Sequence, residues 1–387
     1  MKGVAIVGVG CTKFGEHWNK GLKELAVEAG IKAIDNCKIS GRDVQLIVGG
    51  NMSGGMFAGQ EHISALLAEQ LGLNPIPAIR TEAACASSAV ALRVGYLAIM
   101  SGLYDIVAVG GVEKMTDVYG SQAITTLAGA MDHETEAYFG LTFPGAYALI
   151  ANKHMYDYGT TREQLAMVAV KNHRNGVNNP IAQYKRAITV NDVLKSPLVA
   201  DPLRVLDCSP ITDGAAIAIL TAADIAKKYT DTPIYIKASA QGSDTLSIFD
   251  RKDMTTLQAT VKSAKDAYKQ ARITPNKVDL AEVHDCFTIN ELIAYEDLGF
   301  CKKGNGGKLI QQGETEIGGR IPVNTSGGLK SKGHPVGATG VAQIVELVEQ
   351  LRGEAGKRQV RGCEWGLAHN VGGSGATVVV HLLSNKK

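Results

Sequence analysis

Apolar runs of strand length alternate with helix-period segments along the chain, a pattern that predicts an α/β architecture. Residues 4–7, 46–48 and 106–109 read as buried strands, and 21–37, 62–71 and 86–100 as the helices between them. Further strands are expected at 78–81, 280–283 and 376–380. The pattern also repeats. The stretch AIDNCKISGRDV (33–44) aligns without a gap on AYKQARITPNKV (267–278), so that Ile39 falls on Ile273, Val44 on Val278 and Leu46 on Leu280. Each copy is a helix end, a turn and a strand start, which predicts a duplicated half-domain. The expected halves are residues 1–222 and 223–387, with an inserted loop domain at about 113–206 that has no counterpart in the second half.

Composition narrows the function classes. The 387 residues are 45% hydrophobic and 20% charged, as in ordinary globular proteins. The net charge of +2 gives no ground for a nucleic-acid or anionic-membrane partner. The seven cysteines are odd in number and contain no C-x-x-C pair, which argues against a disulfide framework or a structural zinc site. The apolar stretch 4–9 is short, carries Gly8 and lacks a cleavage site, so it reads as a first strand of a cytoplasmic protein. The apolar region 83–100 is too broken by Arg93 and small polar residues to span a membrane.

Four segments carry candidate chemistry. In TEAACASSAVALRVGYLAIM (81–100), Cys85 stands between a strand and a helix whose N-terminal N–H groups and dipole favour a thiolate; packing as a small apolar residue is the alternative. In HDCFTINEL (284–292), strand geometry would direct His284 and Cys286 to one side. In NTSGGLKSKGHPVGATG (324–340), His334 sits between Gly333 and Pro335 at a helix entrance, with glycines that would let a thioester approach the backbone. In AHNVGGSGATVVV (368–380), a glycine turn feeds the last strand, and His369 and Asn370 either shape that turn or share in the site. The start Gly8-Val9-Gly10 lacks the third glycine of a dinucleotide fingerprint, since Lys13 occupies its place.

In order and spacing, TEAACASSA, HDCF, GHPVGATG and HNVGGSGA resemble the thiolase superfamily, in particular sterol-carrier-protein-type thiolases and archaeal acetoacetyl-CoA thiolases. The resemblance extends to VAVKNHRNGVNNPIAQ (168–183) and DCSPITDGAAIAIL (207–220). It implies two similar α-β-α-β-α halves with an active site where they meet, and a homodimer or homotetramer. Carried over, Cys85 is the acylated nucleophile, His334 the base that activates it, and His284 its partner in an oxyanion hole. Where many thiolases have a late C-x-G motif this chain has Asn370-Val371-Gly372, so Cys286 takes the acid/base role and the Gly372 N–H binds the thioester oxygen. The implied reaction condenses two acetyl-CoA to acetoacetyl-CoA and reverses it, feeding mevalonate synthesis, with no metal or redox cofactor. Lys171, His173, Arg174, Lys185 and Arg186 are candidate contacts for the coenzyme A phosphates, or a solvated basic surface. Archaeal relatives also imply a complex with hydroxymethylglutaryl-CoA synthase through a small zinc-containing bridging protein. The competing readings are a 3-ketoacyl-CoA thiolase for longer or branched chains, a ketoacyl synthase, and a non-catalytic lipid-binding or scaffold protein.

Overall fold

The computed structural model describes residues 3–387. Its strands are β1 (Val4–Cys11), β2 (Leu46–Gly50), β3 (Ala78–Thr81), β4 (Ile106–Glu113), β5 (Leu198–Ala200), β6 (Leu203–Arg204), β7 (Gly214–Ala222), β8 (Ile234–Ser243), β9 (Leu280–Glu282), β10 (Trp365–Gly372) and β11 (Thr377–Ser384). Apart from the β5–β6 hairpin they form one nine-stranded mixed sheet, in the order β3-β2-β4-β7-β1-β8-β11-β10-β9.

That order reads the same outward from its middle. From β1 the neighbours are antiparallel β7, antiparallel β4, parallel β2 and parallel β3. From β8 they are antiparallel β11, antiparallel β10 and parallel β9, after which Val323 makes a parallel bridge to Ala281 where a counterpart of β3 would lie. Leu46 and Leu280, matched in the sequence repeat, each begin the corresponding strand. The two series meet through three residue pairs only, Val4 with Ile236, Ala5 with Tyr235 and Ile6 with Ile234.

Helices complete five layers. Leu22–Asp35 covers β1 and β7 on one outer face, and Gln258–Ala271 covers β8 and β11 on the other. Ser87–Met100 and Thr339–Arg352 pack on each other and on strands of both series, forming the middle layer. Thr339–Arg352 is buried over most of its length, and Ser87–Met100 over half of its residues. Gly8 and Gly10 owe their place to this packing: a Cβ on either would lie 2.3 Å from a carbonyl of the Leu22–Asp35 helix, Ala33 O and Ala29 O respectively. Residues after β4 form an insertion with the helices Gly120–Ala128, Phe143–Tyr158, Arg162–Gly176 and Val190–Lys195. Among the described residues no helix is long and apolar enough to cross a membrane.

Candidate active site

Cys85 stands on a tight turn between β3 and the central helix Ser87–Met100. Ala84 before it is left-handed (φ 50°), a conformation that costs a non-glycine residue about 1–2 kcal/mol. Ser87 braces the turn, its hydroxyl accepting from Ala83 N (3.0 Å) and donating to Ala84 O (2.6 Å). The backbone amides of Gly373 and of Cys85 itself act on the sulfur to lower its pKa. Burial nevertheless dominates and pushes the thiol up to about 12, with the Glu113 carboxyl adding to the effect. The thiolate expected from the helix terminus is therefore not the resting form: removing the sulfur from water outweighs the two amides and the dipole.

The second half brings its groups to this turn. His334 lies on the loop before the central helix Thr339–Arg352, anchored by its N–H on Thr212 Oγ1 (3.0 Å). Its Nδ1 lies 2.7 Å from Thr339 Oγ1, whose own proton goes to Pro335 O (2.9 Å). The hydroxyl can then only accept from the ring, so Nδ1 carries the proton and Nε2 keeps its lone pair. Burial lowers this imidazole to about 3, leaving it neutral and able to take a proton.

His284 meets His334 edge to face, with ring centroids 5.0 Å apart. Side-chain donor atoms of Cys85, His284 and His334 all lie within 4.8 Å of one another. His284 is held well below its ordinary pKa by burial, and next by its two histidine neighbours His334 and His369. Its Nδ1 lies 2.9 Å from Asn370 Nδ2, and its buried Nε2 has no protein partner.

Cys286 follows His284 beyond the end of β9 and lines the same cavity as Cys85. Burial first, then Cys85, pushes its thiol well above the ordinary value. Tyr147 of the insertion touches that thiol, donates to Gly373 O (3.1 Å) and stacks on Phe287 at 4.7 Å. The cavity encloses about 140 Å³, and Ile124, Leu127, Phe143 and Val336 give it apolar walls. A larger apolar cavity of about 280 Å³ lies under the Leu22–Asp35 helix; Asp35 is the one charged residue lining it, so the chemistry belongs to the smaller.

Several sequence expectations shift. Beyond Gly372, the residue expected to bind the thioester oxygen, β10 ends and the chain turns left-handed at Gly373 (φ 59°), whose amide lies at the Cys85 sulfur. Lys171 is not a surface cation: it is buried against Glu291 (2.9 Å) and donates to Val323 O (2.6 Å). Arg174 is half-exposed and paired with Glu316 at 2.8 Å, and neither residue lines the cavity. Lys185 donates to Pro180 O (2.7 Å) and His173 Nδ1 donates to Arg186 O (3.1 Å), so both are engaged with backbone. His369 alternates away from Asn370 on β10 and bonds Thr260 of the outer helix at 3.0 Å. Sequence reasoning missed Tyr147, Thr339 and Glu113. Of these only Thr339 had a signal, a hydroxyl in the same glycine-rich segment as His334. Glu113 is buried at the end of β4, where it accepts from Met52 N (2.8 Å), Ser53 N (3.1 Å) and Asn51 Nδ2 (3.0 Å).

The mirrored α/β sheet, with the cysteine and the histidine that its two central helices deliver to one cavity, has counterparts among known proteins. Residues 4–224 match the model of the thiolase N-terminal domain and residues 240–385 that of the thiolase C-terminal domain-like family, so the chain belongs to the thiolase superfamily. It is 56% identical over 384 residues to an acetyl-CoA acetyltransferase of Methanothermobacter thermautotrophicus, covering 99% of this chain and 100% of that one. It is 39% identical to sterol carrier protein 2 of Bos taurus over 97% of this chain and 71% of that protein. Among solved structures, the Ltp2-ChsH2(DUF35) aldolase superposes with a TM-score of 0.87 at 26% identity, over 100% of this chain and 98% of that one.

Proposed function

We propose that this acyltransferase is an acetyl-CoA C-acetyltransferase, condensing two acetyl-CoA to acetoacetyl-CoA and catalysing the reverse thiolysis. The observation that carries the reading is the meeting of two protonated thiols, Cys85 and Cys286, with a neutral His334 whose Nε2 is free. Cys85 gives its proton to His334 Nε2 as its sulfur attacks the thioester carbonyl. The carbonyl oxygen is held by the Cys85 and Gly373 amides. Cys286 protonates the departing coenzyme A sulfur and becomes a thiolate, stabilised by the new imidazolium. That thiolate removes the α-proton of a second acetyl-CoA. The enolate oxygen rests on the N–H groups of His284 and His334 while its carbon attacks the acetyl group on Cys85. The Cys85 thiolate leaves and recovers its proton from His334, so every group returns to its starting state. No metal or redox step enters this scheme.

Support for acetyl-CoA comes from the name and full-length similarity of the archaeal relative. The apolar walls of the cavity favour a second reading, longer or branched 3-ketoacyl chains, which a chain-length series in thiolysis separates. We place the enzyme in the cytoplasm as a homodimer or homotetramer supplying mevalonate synthesis, in complex with hydroxymethylglutaryl-CoA synthase through a zinc-containing bridging protein. Co-purification from the native source tests that complex. The central test is intact-protein mass spectrometry after acetyl-CoA treatment: the wild type gains one acetyl group, Cys85→Ser gains none, and Cys286→Ala gains it but fails to condense. Acetylation that persists in Cys85→Ser overturns the assignment.

A further inference from the structure

The two histidines of the site need opposite protonation patterns, one ring nitrogen to accept and another to donate. Thr339 secures the first, as shown above. What secures the second is visible at His284. Asn370 sits on β10 with its amide nitrogen 2.9 Å from His284 Nδ1, while its carbonyl oxygen has no hydrogen-bond partner. That oxygen points at the start of the central helix Thr339–Arg352, 2.7 Å from where a Cβ on Gly340 would lie. The positive end of a helix favours an oxygen there and disfavours an NH2 group, which fixes the orientation of the amide. Asn370 therefore donates to Nδ1, and the ring must carry its one proton on Nε2, the buried atom with no protein partner.

We propose that Asn370 is a positioning residue that locks His284 in the Nε2–H tautomer, making it a permanent hydrogen-bond donor to the substrate oxygen. This rests on the thiolase reading of the site. The groups facing His284 leave the work to Asn370. His334 and His369 are neutral, Cys85 and Cys286 are protonated thiols, and among the described residues the charge effects on the ring come from His334 and His369, with no lysine or arginine beside them. The adjacent Asp285 carboxyl is turned away, accepting from Leu329 N (2.7 Å), Lys330 N (3.3 Å) and Asn172 Nδ2 (2.7 Å). Gly340 belongs to the same device, since any side chain there would strike the Asn370 oxygen.

The test joins a spectroscopic and a kinetic readout. Nitrogen NMR of the wild-type protein labelled in histidine, with His284→Gln to assign the ring, should show Nε2 protonated and Nδ1 bare. Asn370→Asp reverses the polarity of the contact: the carboxylate accepts from Nδ1–H and raises the imidazole pKa. Below that pKa the imidazolium still donates from Nε2; above it the proton stays on Nδ1 and the donor is lost. Condensation by N370D should thus fall as pH rises through the new pKa, where the wild type shows no such step. Losing one oxyanion donor costs about 10²–10³ in kcat, and N370A, which leaves both tautomers open, should lose about tenfold or more with KM little changed. Both variants should still be acetylated at Cys85. A wild-type ring protonated at Nδ1, or N370D with a wild-type pH profile, overturns the proposal. Absence of acetylation in the wild type strikes the thiolase reading instead and leaves the NMR result to stand.

Discussion

At the scale of single residues, the resting site is a set of neutral groups in an apolar-walled cavity rather than a preformed ion pair. With the Cys85 thiol pushed up to about 12 and His334 lowered to about 3, proton transfer waits for the substrate. Alkylation of Cys85 by iodoacetamide should then rise roughly tenfold per pH unit between pH 7 and 9, following the thiolate fraction. A plateau in that range would reveal a thiolate–imidazolium pair. Thr339→Val removes the only acceptor of the His334 Nδ1 proton while keeping the side-chain shape. An unsatisfied buried donor costs about 1–3 kcal/mol, so acetylation measured by rapid quench should slow by roughly 10–100-fold. Cys85, His284, Cys286 and His334 were legible in the sequence because each stands in an ordered motif. Tyr147 was not, since a tyrosine midway along an apolar helix carries no mark of what it meets across the fold. Lys171 misled for the reverse reason: a basic residue in a polar helix looks exposed until Glu291 is seen beside it.

At the scale of elements, the site depends on how closely two helices approach at their N-terminal ends. Gly340 is the point of closest fit, where a Cβ would meet Ala89 N at 2.4 Å and Ala89 Cβ at 2.7 Å. Both are rigid parts of the Cys85 helix. Gly340→Ala should force the helices apart, costing about 1–3 kcal/mol as overpacked cores do. The chain should still fold, with a lower unfolding midpoint and a larger loss of acetylation, because the displacement is centred on the helix that follows the nucleophile. Equal acetylation in the two proteins would show that the helices tolerate the shift. The periodicity of apolar residues predicted both outer and central helices of the first half, and the strands beside them. It did not show that β1 and β8 join the two series into one sheet, because three backbone pairs leave no trace in side-chain pattern.

At the scale of the molecule, the two mirrored series share a single middle layer, and the order in which the structure opens follows from that. The helix Thr339–Arg352 is buried on nearly every face, with Val341, Ile344, Leu347 and Val348 in the core and Gln343, Glu346 and Gln350 buried as well. Gln350 donates to Arg358 O and Glu346 pairs with Arg358, so its polar residues are tied in rather than solvated. Freeing any of its amides requires parting the halves. The insertion helix Gly120–Ala128 is different, with Ala123 and Thr126 as its only buried residues and Ile124 half exposed. Local openings span energies from near zero to the full stability of the protein, and buried contacts set the position of each segment on that scale. Native-state hydrogen exchange should therefore find the amides of 343–350 opening only with global unfolding, and those of 123–127 opening far earlier. Because Ile124 and Leu127 wall the cavity, ligand binding should slow the early group and leave the late group unchanged. If the two groups exchanged together, the central layer would have to come apart without global unfolding, and the shared middle layer could not be what holds the halves together.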